Sequence, residues 1–196
     1  MAYFQTRLRM IAEIIKGKSM IRAVLICLSV LSLPGLAVGE TSPYLGQEHR
    51  KIKSLSQEEI DGLLAGKGMG YAKAAELNGI PGPAHVLELA VELRLSRQQK
   101  EKTERLFEEM LASAKSLGRR LVDAEQALDD LFARAEATPD TLTRHLDSIA
   151  RIEARLRQVH LQAHLAQLEM LGPKQLALYR EFRGYASEHT GHPMNH

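Results

Sequence analysis

The sequence predicts an all-α protein built on a long antiparallel helical hairpin, with short flanking helices and a dimeric assembly. Apolar residues recur at helical spacing over two long segments, polar boxes of the kind that cap helices precede them, and proline or glycine interrupts the pattern between them. The 196 residues include no Trp, five Tyr and four Phe, which favours one small helical domain over a fold with an aromatic core.

Residues 1–39 have the organisation of an export signal. A basic stretch is followed by an apolar run broken by a proline, and the small residues Ala37 and Gly39 precede a cleavage point before Glu40. Met20 stands where an ordinary signal peptide begins, so the signal peptide starts either there or at the first residue. The apolar run also approaches the roughly 20 residues that span a bilayer, which leaves an uncleaved membrane anchor as the alternative. We expect cleavage and a periplasmic location.

Removal of residues 1–39 changes the charge and the chemistry of the chain. Without the five basic side chains and one acidic side chain of that segment, the 26 basic and 24 acidic side chains fall to 21 and 23, a net charge of −2. The alkaline character therefore belongs to the signal segment, and nothing in it favours nucleic acid as a partner. Cys27, the only cysteine, leaves with the signal peptide. Any metal would have to be held by His, Asp or Glu.

Residues 40–83 read as a segment of short helices. A capping box over residues 56–59 begins the first helix, and glycines end it. A second short helix is predicted for residues 71–77, and the Pro-Gly-Pro sequence at residues 81–83 then forces a turn.

Residues 84–187 form the predicted hairpin domain. A helix over residues 84–94 comes first, and a Ser-x-x-Gln capping box begins a long amphipathic helix over residues 96–135. Thr138-Pro139 begins the second long helix, Gly172-Pro173 ends it, and a last helix covers residues 174–185.

Two long helices with so short a connection should pair as an antiparallel hairpin. A lone hairpin of this size buries little apolar surface, so we expect either a homodimer or close packing by the short helices. The tail at residues 188–196 contains three histidines, and we expect it to be flexible and to bind metal only weakly.

His160 and His164 are the strongest candidates for chemistry. Because they are four residues apart on one helix, both imidazoles lie on one face, where they can share a cation. The alternative is a pair of polar residues that flank the apolar stripe. Hairpin geometry places Glu108 or Glu109 within about one helical turn of the pair, although both glutamates also fit a solvated helix surface. Two imidazoles and a carboxylate suit Zn, Ni, Co or Cu.

His85 begins the helix after the Pro-Gly-Pro turn. It reaches the pair only if that helix folds back along the hairpin, and otherwise it is a capping or half-buried histidine. We find no phosphate-binding loop, nucleophile elbow or catalytic triad pattern, so an enzyme is not expected.

Two motifs resemble the paired Leu-Thr-x-x-Gln motifs of the periplasmic Spy/CpxP superfamily, which includes ZraP and the CnrX-like heavy-metal sensors. They are Leu95-Ser96-x-x-Gln99 and Leu171-Gly172-Pro173-x-Gln175, and they flank the two long helices. The resemblance covers roughly residues 80 to 185. In place of Thr the second motif has Gly172, but Pro173 preserves the helix start.

The resemblance implies a ligand set for a metal. In the metal-sensing branch, a His-x-x-x-His pair on the later hairpin helix joins a carboxylate of the earlier helix and histidines near the amino end. His160 and His164 match the pair, Glu108 or Glu109 the carboxylate, and His85 one early histidine. The chain departs from the pattern at Leu89, where a second early histidine would be expected.

The resemblance also implies the function. The leading hypothesis is a periplasmic heavy-metal-binding sensor or resistance accessory protein with a divalent transition metal (Zn, Ni, Co or Cu). The alternatives are an ATP-independent periplasmic chaperone for unfolded proteins and an envelope-stress adaptor that modulates a membrane sensor kinase. A homodimer is expected in each case.

Overall fold

A computed structural model describes residues 41–185, and the fold is given for that part of the chain. Within it the secondary structure is helical without a β-strand, apart from one isolated bridge between Ile52 and Leu55. The all-α prediction is therefore confirmed. The predicted signal segment and the histidine-containing tail lie outside the described residues.

Six α-helices occur within residues 41–185, after a 3-10 turn at Gln47–His49. They are α1 (Gln57–Leu64), α2 (Lys73–Glu76), α3 (Pro83–Glu88), α4 (Arg97–Ala133), α5 (Pro139–Met170) and α6 (Pro173–Phe182).

Capping boxes begin three of these helices, as their sequences predict. The side chains of Ser56, Ser96 and Thr138 each accept a hydrogen bond from the backbone N–H three residues later, and the side chain at that later position returns a bond to the cap. Each box satisfies amide groups that a helix start would otherwise leave without partners. Residues 134–138 connect α4 to α5.

Two of the predicted short helices are shorter than their sequences suggest. Instead of residues 71–77, α2 covers only Lys73–Glu76, and instead of residues 84–94, α3 ends at Glu88. After α3 the chain makes turns, and Arg94 takes a left-handed conformation with φ of 50°. The turns allow Leu93 to pack with Val86 and Tyr179. Tertiary packing therefore overrides the local apolar pattern.

The main core lies where α4 and α5 pack along each other and α1 covers them. Its buried members are Leu63, Ala114, Leu121, Ile149, Ile152 and Leu156. Gly118 permits the approach of α1 to α4, because a Cβ at that position would collide with the carbonyl group of Leu63.

A second apolar cluster holds the region around α3. Val86, Leu93, Leu171 and Tyr179 are its buried members, and they join α3 and the turns after it to the start of α6 and its interior. None of the helices within residues 41–185 combines the length and the apolar character needed to cross a membrane.

Candidate metal-binding site

The structure buries both histidines of the predicted pair. His160 and His164 lie on one face of α5 and are only 3% and 6% exposed. His85, on α3, is half-buried and close to the pair, since it lines the same pocket. Glu108 and Glu109 are exposed on α4, and no hydrogen bond or ion pair joins them to these histidines among the described contacts. The carboxylate that the structure brings to the histidines belongs to a different residue.

That carboxylate is Glu76, the last residue of α2. Its Oε1 atom lies 3.6 Å from Nε2 of His85 and 3.8 Å from Nε2 of His164. The turn of residues 77–82 reverses the chain between α2 and α3 and so brings Glu76 and His85 together. The third group, His164 of α5, contacts the same turn at the carbonyl of Ile80.

Gly82 forms the floor of the space between these groups. A Cβ at this position would lie 2.6 Å from His164 Nε2 and 3.4 Å from Glu76 Oε1. Only glycine lets the backbone approach the imidazole this closely. The absence of a side chain at Gly82 therefore keeps the space beside the ring nitrogen and the carboxylate oxygen open.

Hydrogen bonds at the opposite ring nitrogens orient both imidazoles. Nδ1 of His164 lies 3.0 Å from the carbonyl oxygen of Ile80, and Nδ1 of His85 lies 2.8 Å from Oε2 of Glu88. Because a carbonyl or carboxylate oxygen only accepts, Nδ1 carries the proton in each ring. In the neutral ring, the lone pair is then on Nε2, the atom that faces Glu76. Oxygen partners of this kind commonly orient histidines that ligate metals.

Burial favours the neutral form of the His160 and His164 imidazoles on α5. Burial lowers the pKa of His164, although the Ile80 carbonyl and the charge of Glu76 oppose that effect. Burial also lowers the pKa of His160, and the neighbouring His164 lowers it further. Neutral imidazole is the form that donates a lone pair to a cation.

His160 contributes a buried ring nitrogen without a hydrogen-bond partner to the region. Its ring stacks parallel to Tyr71, with centroids 6.1 Å apart, and its Nε2 atom is buried without a hydrogen-bond partner. A buried polar atom left alone costs about 1–3 kcal/mol. A ligand beside His160 would remove that cost.

The donor atoms are of the types that bind transition metals, but their separations are wider than those around a bound ion. Donors that share a tetrahedral zinc ion at about 2.0–2.1 Å lie roughly 3.3 Å apart, so the separations around Glu76 Oε1 are a few tenths of an ångström wider. Within residues 41–185, no three His, Cys, Asp or Glu side chains are already drawn together as a closed metal-binding group.

The second oxygen of Glu76 faces the carboxyl end of α6. Its Oε2 atom lies 3.4 Å from a terminal guanidinium nitrogen of Arg183 and accepts a 3.2 Å hydrogen bond from the Tyr185 hydroxyl. Burial, and then the charge of Glu76, raise the pKa of Tyr179 to about 12, so this buried phenol stays protonated. Glu76 therefore divides its two oxygens between the histidines and α6.

A cleft of about 660 Å³ gives access to these groups. Met69, Phe107 and Met110 are among its apolar lining residues, and His85, His160 and His164 line it as well. The three histidines therefore form part of the wall of a cleft.

Glu76 was not among the candidates that the sequence suggests. No helical periodicity connects it with α5, because His164 lies 88 positions later in the chain. One signal does exist: the glycine- and proline-rich turn at residues 78–83 reverses the chain and makes neighbours of Glu76 and His85. No protein-family model matches this chain, and neither a curated protein nor a solved structure matches it.

Proposed function

We propose that this protein binds a divalent transition metal through Glu76, His85 and His164, with His160 beside the site, and that it acts in the periplasm as a heavy-metal sensor or resistance accessory protein. Imidazole and carboxylate donors favour Zn, Ni, Co or Cu over Mg or Ca. The proposal keeps the two predicted histidines of α5 and His85, and it replaces Glu108 and Glu109 by Glu76.

One observation carries this proposal: the Nε2 atoms of His85 and His164 both face Oε1 of Glu76, within 3.8 Å, while their Nδ1 atoms are bonded elsewhere. Two lone pairs and a carboxylate oxygen directed at one another repel unless a positive charge lies between them. On His164 itself a proton is disfavoured, because burial lowers the pKa of this imidazole. A metal ion would satisfy all three donors.

The ligands come from α2, α3 and α5, so binding would connect three segments of the chain. A cation stabilises whichever form holds its ligands together. The turn at residues 77–82 is the element expected to move, because it joins the two short helices that carry Glu76 and His85. We propose that a membrane sensor protein reads that movement, and that the protein itself is not an enzyme.

The assembly is part of the proposal. We infer that α4 and α5 form an antiparallel hairpin, which the 2.8 Å hydrogen bond from Gln99 near the start of α4 to the carbonyl of Met170 at the end of α5 supports. We also propose a homodimer, since Leu146 and Leu165 of α5 are 47% and 54% exposed. Light scattering of the purified chain tests this, and a stable monomer would contradict it.

Calorimetric titration with Zn²⁺, Ni²⁺, Co²⁺ and Cu²⁺ tests the site. The parent is the full chain with His189, His192 and His196 replaced by Ala, so that the tail cannot bind metal. We expect Glu76→Gln and His164→Ala to weaken binding at least about tenfold, as loss of a ligand or its support does.

Matched variants make that result specific. His49→Ala removes an exposed histidine, and Glu108→Gln and Glu109→Gln remove the exposed carboxylates of α4. All three should bind like the parent. Equal binding by the parent and Glu76→Gln, or lost binding in the Glu108 or Glu109 variant, would contradict the proposed ligand set.

A second candidate function is that of a chaperone for unfolded periplasmic proteins. A groove of about 860 Å³ between α4 and α5 supports it, because apolar side chains such as Ile152 and Val159 lie there beside Arg120, Arg151 and Arg155. Such a surface can hold apolar segments that carry acidic groups.

An aggregation assay with a chemically unfolded acidic client tests the chaperone function. Arg151→Glu with Arg155→Glu should abolish protection, whereas Arg144→Glu with Arg105→Glu, which change exposed arginines outside the groove, should not. Equal protection by both double variants would exclude the groove as the client site.

A further inference from the structure

We propose that Arg183 is the internal counter-ion of Glu76, that it competes with a cation for this carboxylate, and that metal binding releases the end of α6. This inference rests on the proposed metal site and names how the chain itself regulates it. The observation behind it is the division of the Glu76 carboxylate between two opposite neighbours.

The Glu76 side chain is 17% exposed and has a full negative charge to balance. Arg183 is the only guanidinium or ammonium group that forms an ion pair with it among the described contacts. Its other ionisable neighbours are His85, His164, Tyr179 and Tyr185. A divalent cation at Oε1 would place two positive charges close to the guanidinium. The two cations would repel each other at short range through a poorly solvated region.

Glu76 holds Arg183 through only one long contact. Its contact with Glu76 is 3.4 Å long, and its Nε atom is buried without a hydrogen-bond partner. A guanidinium bound firmly to a carboxylate usually makes two parallel bonds of about 2.7–2.9 Å. Arg183 makes neither, so little is lost when it leaves.

The turn after α6 brings a second donor, the Tyr185 hydroxyl, to the same carboxylate oxygen. Gly184 has a φ of 73°, and this left-handed turn brings Tyr185 back to Glu76, where its hydroxyl donates 3.2 Å to Oε2. The backbone N–H of Tyr185 bonds to the carbonyl of Arg180, and that of Gly184 to the carbonyl of Glu181. Once Oε2 loses electron density to a cation at Oε1, both side-chain contacts weaken together. The turn at Gly184 would then open.

Arg183→Gln tests the competition in the tail-substituted parent, with Zn²⁺ as the probe. Because the variant removes the competing charge, we expect Zn²⁺ affinity to rise about fivefold or more, the lower end of common coupling between sites. Lys174→Gln is the control, since it removes one positive charge from the exposed first turn of α6 and forms no ion pair among the described contacts. The control should change affinity much less. Circular dichroism should be the same for all three proteins.

Amide hydrogen exchange tests the release. Saturating Zn²⁺ should speed exchange of the Gly184 and Tyr185 amides in the parent and leave the amides inside α5 unchanged. Without metal, Arg183→Gln should already show the faster exchange. Slower exchange on adding Zn²⁺, or unchanged exchange in Arg183→Gln, would overturn the release.

The outcomes separate this inference from the proposed function. If the parent binds Zn²⁺ through Glu76 and Arg183→Gln binds it equally or more weakly, the metal site stands and the role of Arg183 is wrong. If only Arg183→Gln binds Zn²⁺, both proposals are supported. If neither protein binds Zn²⁺, both fall together.

Discussion

Gln99 and Gln175 hydrogen-bond to each other between the starts of α4 and α6, with Nε2 to Oε1 distances of 2.9 and 3.1 Å. Each is also the third residue of its own helix, and its Oε1 atom accepts the N–H of the residue before that helix, Ser96 at 3.0 Å and Gly172 at 2.9 Å. The two helix starts are therefore one structure, in which each glutamine accepts the N–H before its own helix and bonds to the other glutamine.

We expect Gln175→Leu to lower the free energy of unfolding by about 2–3 kcal/mol, measured by urea denaturation. The change leaves the Leu93 carbonyl, which accepts 3.1 Å from Gln175 Nε2, and the Gly172 N–H without their partners in a partly buried place. Gln99 loses its two bonds to Gln175 and keeps those to Ser96 and Met170. Gln57→Leu is the control, because Gln57 bonds only to Asp61 on an exposed surface. Its effect should stay within about 0.5 kcal/mol. Similar losses in the two variants would contradict a special role for the glutamine pair.

Gly118→Ala tests the approach of α1 to α4. In the middle of a helix this change normally adds about 1 kcal/mol of stability. Here the new methyl group would collide with the backbone of Leu63, which is buried in the core. Backbone cannot move aside as a flexible side chain can, so we expect a net loss of about 1–3 kcal/mol in thermal or urea unfolding. Unchanged or higher stability would mean that α1 does not lie against Gly118.

Helix starts in this chain were predictable because their causes are local. The boxes at Ser56, Ser96 and Thr138 satisfy the amides of their own first turns, and no distant residue is needed. The end of α3 was not predictable, because it follows from the burial of Leu93 against Tyr179, a residue of α6. Local patterns indicate where a helix begins better than where tertiary packing stops it.

The candidate site divides in the same way. His160 and His164 could be predicted, since helical spacing alone places them on one face. Glu76 could not be predicted, because it lies on a four-residue helix that is too short to show a periodic pattern. Its side chain comes close to His164 only through the packing of α3 against α5. Glu108 and Glu109 are exposed on α4. Counting residues along two packed helices predicts how far along the helix a residue lies, but not which way its side chain points.

Stability of the metal-free protein should depend on pH through the two buried histidines of α5. Burial lowers the pKa of His160 and of His164 in the folded state, whereas the unfolded chain titrates near 6.5. As the pH falls through about 6.5, these histidines bind protons in the unfolded state but not in the folded state. The free energy of unfolding therefore decreases as the pH falls. Above about pH 6.5 the histidines are neutral in both states, so their contribution to stability no longer changes with pH.

Urea unfolding in EDTA between pH 5 and pH 8 measures that dependence. His160→Leu should flatten the curve, since it removes one of the two titrating groups and leaves an apolar side chain in a buried place. His49→Gln, which changes a histidine that is 85% exposed, should leave the curve unchanged. A parent whose stability rises as the pH falls from 7 to 5.5 would contradict the direction expected for buried neutral imidazoles.

Gly82→Ala should remove metal binding without removing a ligand. The added methyl group would lie 2.6 Å from His164 Nε2 and 3.4 Å from Glu76 Oε1, so it would occupy the space that the donors share. The imidazole must shift to relieve the contact, and its bond to the Ile80 carbonyl would be strained at the same time. We expect Zn²⁺ affinity to fall at least about tenfold, with a loss of about 1–3 kcal/mol in stability from overpacking.

Gly68→Ala is the matched control, since a Cβ there meets no atom within 4 Å and its φ is not in the left-handed range. If Gly82→Ala binds Zn²⁺ as tightly as the Gly68 variant in calorimetry, the cation does not sit between His164 and Glu76.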